Sequence, residues 1–223
     1  MGVPDARELL RPLSDGGVEF GCEVARLQRG PVGWSLLLAD GRMLGMFDIV
    51  VSTAPLPQTC ALLRASSVVF PDAVAHVHYA PCWALLLALS DPDIDLSTLA
   101  QSNVFGHVGR TPAQQGAPSA CTWVLHARPE WSAGHLEHTA QDVQRLLLAE
   151  AVSAYGRAIE PAAAFAHRWR FARAVQPLSR DCLWLPAARV AIGGDGFAGG
   201  DAEGAFHSGL TLASTVLGAV RAR

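Results

Sequence analysis

The chain has 223 residues, of which 50% are hydrophobic and 17% charged, a composition that supports a packed core and excludes a disordered chain. Seventeen basic and 20 acidic residues leave a formal net charge of −3 with no basic run, which argues against a nucleic-acid partner. The opening MGVPDARELL holds no apolar signal core, and no apolar run approaches the roughly 20 residues of a membrane span, so no membrane association is expected.

In chain order, Val18–Leu27 sets Val18, Phe20, Cys22 and Val24 on one side at period 2 and predicts a half-buried strand. Trp34–Ala39 predicts a second strand, Asp40-Gly41 a hairpin turn, and Arg42–Phe47 the returning strand. The β-branched run Asp48–Thr53 predicts a short strand covered on both faces. Ala54-Pro55-Leu56-Pro57 ends it, with a short helix expected over Gln58–Leu63. Cys82–Leu89 and Cys121–Ala127 read as buried strands, and Ser90–Gly116, polar and rich in Gly and Pro, as a long loop with room for a short helix. Thr139–Tyr155 is the clearest helix: Val143, Leu146, Leu147, Ala151 and Tyr155 share a face, Thr139 with Asp142 resembles a capping box, and Gly156 suits the stop. Ala162–Ala174 alternates as a strand, with Leu183–Leu185 as its expected partner. Arg189–Ile192 is a final buried strand that runs into Gly193-Gly194-Asp195, and an apolar helix follows from about Gly204 to Val220.

That last unit carries the strongest chemical signal. A helix start offers unpaired N–H groups and the positive end of the dipole, which suit a phosphate or an electron-rich ring edge. Gly204 and Ala205 would let a flat ligand approach the backbone, and Asp195 would accept hydrogen bonds from sugar-like hydroxyls. Tight strand–helix packing, with the glycines serving geometry alone, explains the same residues equally well. Phe165, His167, Trp169 and Phe171 fall on one strand face, which is either the wall of a substrate pocket or a core face packed on the Thr139–Tyr155 helix. Among the eight histidines, His76 and His78 are expected to share a strand face and His135 and His138 lie at H-x-x-H spacing, but neither pair has a nearby Cys or an obvious carboxylate to complete a tetrahedral metal set. No G-x-S-x-G elbow occurs, and no acid–base residue stands out, so no catalytic residue is named. The five cysteines, Cys22, Cys60, Cys82, Cys121 and Cys182, are odd in number and far apart, which fits reduced thiols in a cytoplasm better than disulfides.

The unit Gly194-Asp195, Glu203-Gly204-Ala205 and Ser208-Gly209 resembles the second flavin-contact motif of renalase-like and amine-oxidase-like NAD(P)/FAD-dependent oxidoreductases. Asp48–Gln58 is similar to the strand and loop that return that family's chain to its cofactor sheet, where ligands bind at the carboxyl edge. The strings at Trp123–Ser132 and His167–Ala172 look like renalase-type sequences, and the likeness runs from about Val18 to Val220. The resemblance implies an α/β fold: the remnant of an FAD-binding, Rossmann-like domain (1–65 and 186–223) with an inserted α+β substrate domain (66–185), an antiparallel sheet plus helix. It implies FAD as cofactor, contacted by Val24, Thr53, Ala54, Pro55, Gly194, Asp195, Glu203, Gly204 and Ala205. His167, Trp169 and Phe171 would line the substrate pocket. The implied reaction is hydride transfer from a dihydronicotinamide isomer or an amine to flavin, then to oxygen.

Two features depart from that pattern. The family opens with a strand, G-x-G-x-x-G and a helix, and no such element occurs, so an N-terminal truncation is expected. The sheet would then present an apolar edge through which a second copy could pair, giving a homodimer. Gly106-His107-Val108-Gly109-Arg110 stands where relatives carry a lysine-bearing loop. The rival reading is a non-catalytic folded remnant, or an interaction protein, that binds no cofactor.

Overall fold

The computed structural model describes residues 17–111 and 121–221, and the chain divides into two units: residues up to 78 together with those from 173 onward, and residues 79–172. The segments 66–78 and 173–185 therefore go with the first unit rather than with the insertion in which the sequence reading set them.

The first unit opens with an antiparallel meander of β1 (Val24–Arg29), β2 (Trp34–Leu38) and β3 (Met43–Phe47). Its hairpin closes at Asp40-Gly41, where Gly41 takes φ +88° and its N–H reaches the Leu38 carbonyl at 3.0 Å. β1 begins six residues later than its apolar alternation predicts. Gly21 sits at φ +69°, which interrupts an extended run, and Val18 and Phe20 are exposed, Phe20 at 89%. Leu27 is buried, and its N–H is held by Ser66 Oγ at 2.8 Å.

β4 (Val50–Ser52) leads into α1 (Leu56–Ala65). The helix starts earlier than expected because Pro57 falls in its first turn, where the missing N–H has no intrahelical partner to lose. β4 then pairs in parallel with β10 (Val190–Ile192), whose other side holds β9 (Leu183–Leu185) antiparallel. β9 thus pairs with β10 and not with the strand at 161–174; three residues carry too little pattern to choose a partner. β10 is buried throughout, but β4 is the outer strand of the sheet and Val51 is 48% exposed, so the expected cover on both faces is absent among the described residues. His76 ends a single-turn helix, α2 (Asp72–Ala75), so His76 and His78 do not share a strand face. α5 (Ala202–Arg221) closes the unit, packed on β9 and β10.

The second unit is a four-stranded sheet in the order β6-β7-β5-β8, with β5 at Tyr79–Leu89, β6 at Phe105–Thr111, β7 at Cys121–Ala127 and β8 at Pro161–Ala174. Every second residue of β7 is buried, as a sheet with one covered face requires. That face carries Trp83, Leu85, Leu87, Leu89, Trp123 and Leu125, packed against α4 (Ala140–Tyr155) through Val143, Leu147 and Ala151, with α3 (Pro129–Gly134) beside β5. Thr139 caps α4 by accepting the Asp142 N–H at 3.1 Å, and Gly156 stops it at φ +73°. Leu146, assigned to the buried face, is 40% exposed instead. β6 and a 3-10 turn at Ser97–Gln101 lie in the stretch expected to be loop; residues 112–116 of that stretch lie outside the described residues. Two glycines and an arginine hide the extended character of β6, which its pairing with β7 imposes.

Candidate functional site

β4 and β10 run in register, Val50 with Val190, Val51 with Ala191 and Ser52 with Ile192, so their carboxyl ends arrive together. The Gly193 N–H donates to the Ser52 carbonyl at 3.1 Å. Gly194 follows at φ +123°, and a Cβ there would lie 3.2 Å from the Thr53 carbonyl, so backbone torsion and contact together demand glycine. α5 anchors this edge from behind. Ser208 Oγ accepts the Gly194 N–H at 2.9 Å and donates to the Asp181 carbonyl, while Leu212 fills the space beside Gly193. Ser208→Ala leaves the Gly194 N–H without its acceptor and is expected to cost about 1–3 kcal/mol. A thermal melt checks this, and Ser208→Thr, which keeps the hydroxyl, should recover part of the difference.

Val24, Thr53 and Ala54 line one groove of about 670 Å³, together with Val51, Ser52 and Gln58. The Val50 N–H donates to Arg189 and the Ser52 carbonyl accepts from Gly193, so both of these residues turn their backbone toward β10. By ladder alternation Val51 turns its N–H and C=O the other way, toward the outer edge of the sheet. The groove wall is fixed by a buried polar set that the sequence reading missed. Thr59 Oγ1 lies 2.7 Å from Ser52 Oγ and donates to the Ala54 carbonyl at 3.0 Å. A threonine inside a helix pattern carries no signal for this; only the fold brings it beside Ser52. Pro55 starts α1, its carbonyl accepting the N–H groups of Gln58 and Thr59.

At the other turn Asp195 is half-buried, and the fully buried Phe197 donates its N–H to the Gly194 carbonyl at 3.2 Å. The start of α5 differs from the sequence expectation. Gly204 is buried, and a Cβ on it would fall 1.5 Å from the Ala198 carbonyl oxygen. Asp201 Oδ1 accepts the Gly204 N–H at 2.7 Å, and the Asp201 carbonyl accepts the Ala205 N–H at 2.9 Å. The chain's own loop therefore occupies the space over Gly204, and its own carboxylate caps the helix. Glu203 is exposed, with its carboxylate 3.9 Å from His207 Nε2.

In the second unit the aromatic residues of β8 form a ladder on the face away from α4. Phe165 and His167 have ring centroids 6.3 Å apart, and His167 meets Trp169 edge-on at 4.5 Å. Trp169 is 54% exposed, whereas Ala166 is buried in the α4-side core. The ladder is therefore not packed on the helix. Phe171 is half-buried and contacts Tyr79 instead. His126 pairs in register with Ala84 on one side and His107 on the other, and its ring is 5.4 Å from that of His107. Burial first, and His107 second, push the His126 imidazole below its ordinary pKa. The folded state thus binds fewer protons here than the unfolded chain. The contribution to stability is whole above the ordinary histidine range and is lost as the pH falls from about 6.5 toward the lowered folded value. His126→Gln should flatten the acid side of a melting-temperature profile measured from pH 7.5 to 5. No three His, Cys, Asp or Glu side chains converge on a metal-sized site among the described residues, and no helix among them is long and apolar enough to cross a membrane.

A parallel strand pair meeting a glycine-rich strand–helix turn, interrupted by a four-stranded sheet with one helical face, defines an α/β protein with an inserted α+β unit. The family model of flavin containing amine oxidoreductases matches residues 6–217, and the chain belongs to that family. Solved structures agree on the fold. A protein of Exiguobacterium sp. 255-15 described as a protoporphyrinogen oxidase superimposes with a TM-score of 0.64 at 12% identity, over 95% of this chain and 51% of that one. A putrescine oxidase bound to putrescine gives 0.59 at 12% identity over 96% and 51%, and cyclohexylamine oxidase from Brevibacterium oxydans IH-35A gives 0.56 at 14% over 89% and 48%. The chain spans about half the length of these structures.

Proposed function

We propose that this chain contributes the carboxyl edge of the FAD site and the substrate-facing sheet of an FAD-dependent oxidoreductase that takes a hydride from a reduced small molecule. The observation that carries the reading is the junction of β4 and β10, where Thr53 and the bare Cα of Gly194 lie side by side at the end of two parallel strands. An extended ligand fits the adjoining groove, which Val24, Thr53 and Ala54 bound, and the half-buried Asp195 follows at the turn. Gly204 and Ala205 fit less well as a cradle, because the Ala198 carbonyl and the Asp201 carboxylate already occupy that helix start. Asp195 would hold ribityl or ribose hydroxyls, and Val24 would lie along the adenine end. His167 and Trp169 would shape the substrate side. When bound, flavin supplies the electron sink, accepting the hydride and passing the electrons to oxygen. The residues named here bind, orient and exclude water; none is assigned a proton.

The substrate would be an amine or a dihydronicotinamide isomer, as the family and the renalase-like wording of Trp123–Ser132 suggest. The five free thiols among the described residues suit a reducing, cytoplasmic setting, and the outer edge of β4 would serve for pairing with a second copy. Visible absorbance of the purified protein tests the cofactor reading. A flavin band that bleaches anaerobically on addition of an amine or dihydronicotinamide is expected. A colourless protein that ignores added FAD would favour a folded remnant without cofactor.

A further inference from the structure

We propose that His135 and His138, on the turn between α3 and α4, form a two-nitrogen clamp for a divalent transition-metal ion of the zinc and cobalt kind, with water completing its shell. The clamp is independent of the cofactor reading. The H-x-x-H spacing alone says little, but the fold brings the two rings together, with centroids 5.2 Å apart. Two imidazoles that each give one nitrogen to a tetrahedral ion at about 2.0–2.1 Å hold their centroids about 5 Å apart. The pair therefore already stands at chelating separation.

His135 is oriented as a ligand. Its Nδ1 lies 2.8 Å from the Trp131 carbonyl, which can only accept, so Nδ1 carries the proton and Nε2 keeps its lone pair. Metal-bound histidines are typically held in this way, the second nitrogen donating to a carbonyl or carboxylate. The Trp131 indole stacks on the ring at 3.9 Å with the planes 15° apart, and the His135 carbonyl accepts the Trp83 Nε1–H at 3.1 Å. Ring and backbone are thus both pinned beside the sheet core. His138 is exposed, and its backbone N–H reaches the same His135 carbonyl at 3.2 Å, which fixes the turn that brings the second ring across. The neighbouring carboxylates are already engaged, Glu137 by Arg170 at 2.8 Å and Asp142 by Thr139 and Arg145, so the imidazoles are the two protein donors. His107 and His126 lie at a similar 5.4 Å, but no hydrogen bond among the described residues orients either of those rings.

Calorimetric titration of the purified full chain with Co²⁺ tests the clamp, at about pH 7.5, where ordinary imidazoles are neutral. Mg²⁺, which prefers oxygen donors, is the control. Co²⁺ is expected to bind and Mg²⁺ not. His135→Gln and His138→Gln should each weaken Co²⁺ at least tenfold, while His126→Gln should leave its affinity within about twofold of the wild type. The His138 ring is exposed and makes no hydrogen bond among the described residues, so His138→Gln should melt like the wild type without metal and keep the test free of folding effects. Bound Co²⁺ should also quench the indole stacked on His135, and Trp131→Phe should remove most of that quenching. No Co²⁺ binding, equal binding of Mg²⁺, or unchanged Co²⁺ affinity in His138→Gln would each overturn the proposal. So would a loss of affinity in His126→Gln as large as that in His138→Gln.

Discussion

Gly204→Ala is expected to destabilise the protein by about 3 kcal/mol or more, the upper end of what overpacking costs. The new methyl group would fall 1.5 Å from the Ala198 carbonyl oxygen, so the 198–201 loop and the first turn of α5 would have to separate. The Asp201 cap on the Gly204 N–H would be lost with them. At roughly 2–4 °C per kcal/mol for a chain of this size, the melting temperature should fall by about 6–12 °C. Gly209→Ala is the internal control. It lies in the same helix with no atom within 4 Å of its Cβ position, and should raise stability by up to about 1 kcal/mol through helix propensity. Calorimetry on the pair separates crowding from propensity. Equal melting of Gly204→Ala and the wild type would show that the turn is open rather than filled.

Trp83→Ala should remove about 3–5 kcal/mol from the second unit. The indole is buried in the sheet core, its Nε1–H donates to the His135 carbonyl at 3.1 Å, and the Arg168 guanidinium lies 5.7 Å from its ring centroid. Truncation opens a cavity and also leaves that carbonyl and guanidinium without the ring. Hydrogen exchange should accelerate along β5 and β7, the strands that share this core, well beyond any change in β10. Trp83→Phe keeps much of the volume and loses the hydrogen bond, so a smaller effect in the same peptides is expected.

Elements with a strong local signal were legible from the residues. The α4 helix carries its period over sixteen residues, flanked by its Thr139 cap and its Gly156 stop, and β7 alternates without exception. The Asp40-Gly41 hairpin follows from glycine's tolerance of positive φ. What escaped depends on distant partners. β6 is a glycine-bearing string that becomes a strand through β7, and β9 finds β10 rather than β8. At the site, the strand–turn–helix unit around Gly194 was legible as a motif, but the separate duties of its glycines were not. Gly194 faces the Thr53 carbonyl at the sheet's carboxyl edge, whereas Gly204 faces a carbonyl of the chain's own loop. Both are written as the same letter, and only the folded path distinguishes them. The Ser52–Thr59–Ala54 network was invisible for the same reason.

Hydrogen–deuterium exchange of the purified protein with and without FAD tests the cofactor placement most directly. Slowed exchange confined to residues 50–55 and 193–197, with the 202–206 turn little changed because the Ala198 carbonyl and the Asp201 carboxylate already fill the space over it, is the result this account predicts. Protection centred on residues 202–206, or no protection at either strand end despite bound FAD, would contradict it.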